Sequence, residues 1–161
     1  MVEFLDSNMK ALAEVIKKDL NVDVQSIAGS GAAGGMGGGM AAFFSSQLQM
    51  GIETVLDTVN FETLLDNCDF VYTGEGKIDG QSLRGKVVIG VARKAKLKKV
   101  KVIAFVGDIG DNVEPSYDEG VSAIFSINRV AVPYKEAKIR AKSDLALTVD
   151  NLLRFQKGFN L

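Results

Sequence analysis

Histidine is absent from all 161 residues. That excludes Ser-His-Asp and Cys-His nucleophilic catalysis and every imidazole-bound metal site. A general base in this chain has to be a carboxylate, a lysine or a tyrosine. A metal ion has to be a hard cation held by oxygen, which points to Mg²⁺. Cysteine occurs once, at Cys68, so an intramolecular disulfide and thiolate clusters are excluded too; Cys68 reads as a small buried residue beside a turn. No apolar run reaches the ~18 residues of a membrane span, so no membrane partner is expected. The net charge is −1, without the basic surplus of a nucleic-acid-binding surface. The basic cluster Arg93, Lys94, Lys96, Lys98, Lys99 and Lys101 reads as a solvated helix end. Met1 to Asn21 is amphipathic and charged, unlike a secretory leader, and a cytoplasmic protein is expected.

Glycine, by contrast, is concentrated. Seven of the twelve residues in GSGAAGGMGGGM, Gly29 to Met40, are glycine. Inside a helix each costs roughly 1 kcal/mol relative to alanine. A close-packed backbone, a bound ligand or a flexible tether has to account for the tract. Gly29 to Gly34 also matches the dinucleotide fingerprint G-x-G-x-x-G, with Asp57 where a ribose-binding acid would lie. The match lacks the context it needs, because Val22 to Ile27 is a short, polar strand candidate and Gly37-Gly38-Gly39 interrupts the helix that should follow.

Around this tract the pattern is regular. Leu5, Met9, Leu12, Ile16 and Leu20 recur at helical spacing, which predicts an amphipathic helix from Phe4 to Leu20. A helix from Met40 to Met50 and a strand or connector from Ile52 to Thr58 are expected next, then a short helix, Phe61 to Asn67, behind the N-cap residue Asn60. From Phe70 the order becomes strand, helix, strand, helical connection, strand, helix. The strands are Phe70–Thr73, with Tyr72 in the core, Val102–Val106 and Val121–Ile127. The helices are Val87–Ala95 and a long one after Pro133. Strands almost free of polar residues imply burial on both faces, hence a parallel sheet covered by helices. The fold class expected is α/β, a three-layer parallel sheet resembling a Rossmann or flavodoxin-like half-domain. Three strands make a thin sheet, and an uncovered edge invites self-association.

The loop TGEGKIDGQSLRGK, Thr73 to Lys86, follows the first strand, where ligands of parallel sheets gather. Glu75 and Asp79 could hold Mg²⁺ or act as a base. Lys77, Arg84 and Lys86 can neutralise phosphate, and Gln81 and Ser82 can hydrogen-bond hydroxyl groups. The loop leads into a helix N-terminus, whose free N–H groups attract anions. Together these suit phosphoryl transfer; a polar crossover whose charges pair with one another is the alternative. Asp108, ending the central strand, could be a third carboxylate or an N-cap.

These stretches carry a resemblance. Gly29 to Gly37 is similar to the G-A-G-A-A-G-G-hydrophobic-G segment of bacterial glycerate kinases of the first class, with Ser30 in place of alanine. Thr73 to Ser82 is similar to their T-G-E-G-R-hydrophobic-D-G-Q-[ST] motif, with Lys77 in place of arginine. Gly85-Lys86 through Gly90-Val91-Ala92 fits their G-K-x-x-x-G-V-A. The resemblance implies ATP-dependent, Mg²⁺-dependent phosphorylation of D-glycerate. It implies Glu75, Asp79, Lys77 and Lys86 as catalytic residues, with Glu75 and Asp79 on the metal. It implies Gln81, Ser82, Gly29, Gly31, Gly34 and Gly35 as the substrate-binding set, with the glycines forming a backbone wall at a cleft.

Family members are more than twice as long, and their D-S-F-K-G and Gly-Gly-Ser-Ala-Thr-Asn-Asp motifs are not found here. The resemblance therefore covers only their C-terminal part. Residues 1–60 would be a helix and glycine-rich segment from the tail of a second, inserted domain, and residues 61–161 half of the α/β domain. The missing N-terminal half becomes an expected partner, and the chain by itself is expected to be nearly inactive. A noncatalytic nucleotide-binding or structural module is the alternative.

Overall fold

The computed structural model describes residues 1–80 and 82–159. The chain divides into two compact units, Met1–Met50 and Gly51–Leu161.

The first unit begins with α1, Val2–Leu20. Ala13 and Ile16 bury their side chains with Val24, while Val22, Ile27 and Ala42 pack around them. Asn21 ends the helix at φ 57°, and its N–H bonds to the Lys17 carbonyl at 3.0 Å, a left-handed stop that satisfies one of the open carbonyls. The segment expected as a strand contains a single 3₁₀ turn, Val24–Ser26. Among the described residues no strand precedes the glycines, so the dinucleotide fingerprint has lost its scaffold.

Helix α2 spans Ala32–Phe44. It therefore lies inside the glycine tract, whereas the sequence placed it at Met40 to Met50. Ala33, Gly34 and Gly35 take φ of 53°, 68° and 92° and break its first turn. The regular helix follows, and it contains Gly37, Gly38 and Gly39. Gly38 N–H bonds to the Ser30 carbonyl at 2.7 Å. A Cβ on Gly37 would collide with the carbonyl oxygen of Gly29. The loop is thus laid backbone to backbone on the helix it precedes, an approach that side chains would prevent. This contact offsets part of the helix penalty.

The second unit starts with α3, Gly51–Thr58. This segment was expected to be a strand or connector. Ile52 and Leu56, one helical turn apart, both join the core, and that shared face stabilises the helix. Helix α4 is Phe61–Leu64, after Asn60. Then come β1 (Phe70–Ile78), α5 (Val87–Leu97), β2 (Lys101–Ile109), α6 (Pro115–Asp118), β3 (Val121–Ser126) and α7 (Tyr134–Phe159). A 3₁₀ turn, Ser82–Arg84, precedes α5.

The strands form one parallel sheet in the order β1-β2-β3. Val88, Ile89, Ala92 and Ala95 of α5 pack with Val102, Ala104 and Val106 of β2 as the main core. Lys94 Nζ bonds to Asp57 Oδ1 at 3.0 Å and Glu62 Oε1 at 2.8 Å. Arg93 pairs with Glu119, and Lys98 with Asp66. The basic cluster is exposed at every position but Lys94, as expected of a solvated helix end, and these contacts also tie α5 to its neighbours. The opposite sheet face carries a row of stacked rings, Phe70, Tyr72, Phe105 and Phe125, with neighbouring centroids 6.4, 6.1 and 6.0 Å apart. Tyr72 was expected in the core but is 45% exposed; its hydroxyl donates to Gln156 Oε1 of α7 at 2.9 Å. Cys68, expected to be buried, is exposed, and its thiol donates to the Leu64 carbonyl.

Candidate functional site

Strand β1 runs through Ile78, well past the expected end at Thr73. Glu75 lies opposite Val106 and Lys77 opposite Asp108 in the parallel register. Two glycines make this extension possible. A Cβ at Gly74 would stand 2.8 Å from the Phe105 carbonyl oxygen, and one at Gly107 would stand 2.5 Å from that of Gly76. Glu75 and Lys77 are thus held on a strand, at the carboxyl edge of the sheet, and Asp79 follows directly.

Three of the expected residues converge. Lys86 Nζ lies 3.7 Å from Glu75 Oε1 and 3.7 Å from Asp79 Oδ1. The Glu75 side chain is only 13% exposed. Its carboxylate accepts the backbone N–H of Val88, one of the N–H groups left open in the first turn of α5. Its second oxygen, Oε2, is buried and has no hydrogen-bond partner among the described residues. Burial pushes the Glu75 carboxyl above its usual pKa; the Val88 N–H and the Lys86 ammonium oppose the rise, and the Asp79 charge adds to it. The site therefore pairs a poorly solvated carboxylate with a lysine and a second carboxylate.

Ser82 is fully buried. Its hydroxyl accepts the Asp79 N–H at 3.2 Å, and its own N–H donates to the Asp79 carbonyl at 2.8 Å. Ser82 closes the turn that carries Asp79. Lys77 points elsewhere, with Nζ 3.9 Å from Asp108 Oδ2, and both side chains are more than half exposed. Asp108 is thus a partner of Lys77 rather than a cap. Gln81 and the Arg84 side chain lie outside the described residues. Gly29, Gly31, Gly34 and Gly35 belong to the first unit.

Among the described residues, no group of three or more His, Cys, Asp or Glu could hold a metal ion. Mg²⁺ in phosphoryl-transfer sites commonly takes one or two carboxylates and completes its shell with water and phosphate oxygens. Glu75, with its orphaned oxygen, and Asp79 fit that demand.

Sequence reasoning missed the Val88 N–H, the Arg93 bond to the Leu83 carbonyl that steadies the loop (3.3 Å), and a buried carboxylate, Asp144, held by Arg129 and Arg140. The i,i+4 spacing of Arg140 and Asp144 was a legible signal for the last.

A model of the glycerate kinase family matches residues 1–157. The chain is 40% identical over 152 residues to a glycerate kinase of Bacillus cereus, covering 94% of this chain and 40% of that one. It is 46% identical over 127 residues to the glycerate 2-kinase of Escherichia coli K12, covering 79% and 33%. A solved structure from Salmonella typhimurium LT2, assigned as glycerate kinase 2, superposes with a TM-score of 0.72 at 38% identity, over 99% of this chain and 41% of that one. The chain thus spans about 40% of the length of such relatives.

Proposed function

This chain belongs to the glycerate kinase family, and we propose that it is the C-terminal part of an enzyme that transfers a phosphoryl group from ATP to D-glycerate, giving phosphoglycerate. The observation that carries the reading is the Glu75–Lys86–Asp79 cluster, with a buried oxygen that has no partner among the described residues. Phosphoryl transfer depends mainly on positioning and charge neutralisation, and this cluster is built for both.

In this reading Glu75 or Asp79 takes the proton of the attacking glycerate hydroxyl. Lys86 and Lys77 offset charge on the transferring group. Mg²⁺, held by Glu75 and Asp79 when bound, supplies further neutralisation of the phosphates. Gln81 would contact substrate, while Ser82 fixes the turn that presents Asp79. Residues 1–50 would be the tail of an inserted second domain, and residues 51–161, in which α3 packs with α5, half of a three-layer, Rossmann- or flavodoxin-like domain that the remaining N-terminal half completes. Among the described residues β1 and β3 each pair on one side only, so strand partners for that half, or for a second copy, are available.

The test is a chimera in which this chain replaces the matching segment of the Bacillus cereus relative. ATP-dependent phosphorylation of D-glycerate is expected from the chimera, and little or none from the 161-residue chain alone. A chimera that folds, as judged by circular dichroism, but shows no turnover would overturn the proposal in favour of a noncatalytic module.

A further inference from the structure

Asp144 of α7 is 3% exposed, and two guanidinium groups meet on it. Arg129, in the segment that leaves β3, places Nε 3.0 Å and Nη2 2.9 Å from Oδ1. Arg140, one turn earlier on α7, places Nε 3.2 Å from Oδ2 and Nη2 3.4 Å from Oδ1. Among the described residues no second carboxylate pairs with either arginine. Two cations on one anion leave a surplus of one positive charge. The arginine side chains remain 38% and 42% exposed. Each guanidinium has five N–H donors, and Asp144 takes two from each. Donors are therefore left over on both.

The location gives the surplus a use. The three strands are parallel, so the segment after β3 emerges on the same edge as Glu75 and Asp79. Ile127, just before Arg129, and Leu145, just after Asp144, line one pocket of about 570 Å³ together with Thr73, Glu75 and Gly107. A tie between loop and helix would need only one arginine. A second one, fixed by the same buried carboxylate and still partly exposed, holds oriented N–H donors that suit a planar oxyanion.

We propose that Arg129 and Arg140, oriented by Asp144, form an oxyanion-binding site on the sheet edge that carries Glu75. Asp144 is a positioning residue: it locks both guanidinium planes and does not itself meet the ligand. The anion is a phosphate group of the nucleotide or the carboxylate of the acceptor acid. Only this choice of anion rests on the kinase reading; the receptor geometry does not.

The experiment is an NMR titration of the ¹⁵N-labelled chain, following the Nε–Hε signals of Arg129 and Arg140. Inorganic phosphate, ATP without metal, and D-glycerate are added in separate arms, with sodium chloride at matched ionic strength as control. Saturable shifts of both signals are expected in at least one arm. Shifts with phosphate and ATP assign a phosphate ligand, and shifts with D-glycerate alone assign the carboxylate. Arg140→Gln leaves Asp144 compensated by Arg129, so the fold survives, and binding should weaken at least ~5-fold, as for loss of a charge-assisted hydrogen bond. Asp144→Asn should likewise weaken binding and broaden both arginine signals. The inference is overturned if no arm gives a saturable shift, if sodium chloride reproduces the shifts, or if Arg140→Gln binds as tightly as the parent. Failure of the kinase reading appears separately, as an inactive chimera whose arginine signals still respond.

Discussion

The Lys86 ammonium stands 3.7 Å from one oxygen of Glu75, while the other oxygen of that carboxylate is buried and has no partner among the described residues. The pair is only half compensated. In a resting fold that arrangement is costly, and a site that must receive a cation or a proton is where such a cost is tolerated.

The first prediction is a titration. The Glu75 carboxyl, followed by carbon NMR, should titrate above its usual value of 4.5, and Lys86→Met should move the midpoint higher still, because Lys86 favours the ionised form. Between 4.5 and the raised midpoint the folded chain holds more proton than the unfolded chain. The stability contributed by this group therefore falls as pH rises through that window. Glu75→Gln lacks this slope, so its stability relative to the parent should grow over the same range. A midpoint at or below the ordinary value would remove the argument.

The second concerns the proposed chemistry. In the active chimera, Asp79→Asn should lower kcat by at least ~10², a typical loss for a general base. Steady-state kinetics at saturating ATP and D-glycerate measure it, and a rate near that of the parent takes Asp79 out of the mechanism.

The third concerns packing between α3 and α5. A Cβ on Gly90 would lie 2.5 Å from Cγ1 and 2.8 Å from Cγ2 of Ile52. Gly90→Ala should cost about 1–3 kcal/mol, as overpacking does. Ile52→Ala should relieve the clash, so the double variant should be less destabilised than the sum of the two single changes. Urea denaturation gives all the values, and strict additivity would disprove the contact.

The fourth separates neighbouring glycines of α2. No atom lies within 4 Å of a Cβ at Gly39, so Gly39→Ala should stabilise by up to about 1 kcal/mol through helix propensity. Gly37→Ala should destabilise, because its methyl group would meet the Gly29 carbonyl. Thermal melts of the two variants would show opposite signs, and a stabilising Gly37→Ala would refute the backbone contact.

Much of the second unit was legible in the residues. The apolar run Val102–Val106 reads as a strand buried on both faces and is one. Val121–Ile127 also reads as a strand, but beyond Val121 it is no more than half-buried, and the motif Thr73–Lys86 lies at the carboxyl edge of the sheet, where it was expected. Segments whose local pattern is ambiguous were misread. Ile52–Thr58 is rich in β-branched residues, yet it is a helix because Ile52 and Leu56 share one buried face. Strand β1 outruns its apolar stretch because backbone pairing with β2 continues through Glu75 and Lys77, and pairing is indifferent to side-chain polarity. The helix in the glycine tract was invisible because its stabilising contact is made by the carbonyls of its own preceding loop.

By itself, the sequence determined the parallel α/β organisation and the chemical inventory of the site, together with the motifs that mark the family. Periodicity and residue type act locally, and they survive in any window of the chain. Only the tertiary structure decided which charges meet. Lys86 rather than Lys77 joins Glu75 and Asp79, Ser82 turns inward to hold the Asp79 turn, and Asp144 gathers two arginines at the same sheet edge. Those pairings depend on strand register and on the direction in which each side chain leaves the backbone, neither of which is encoded by residue type alone.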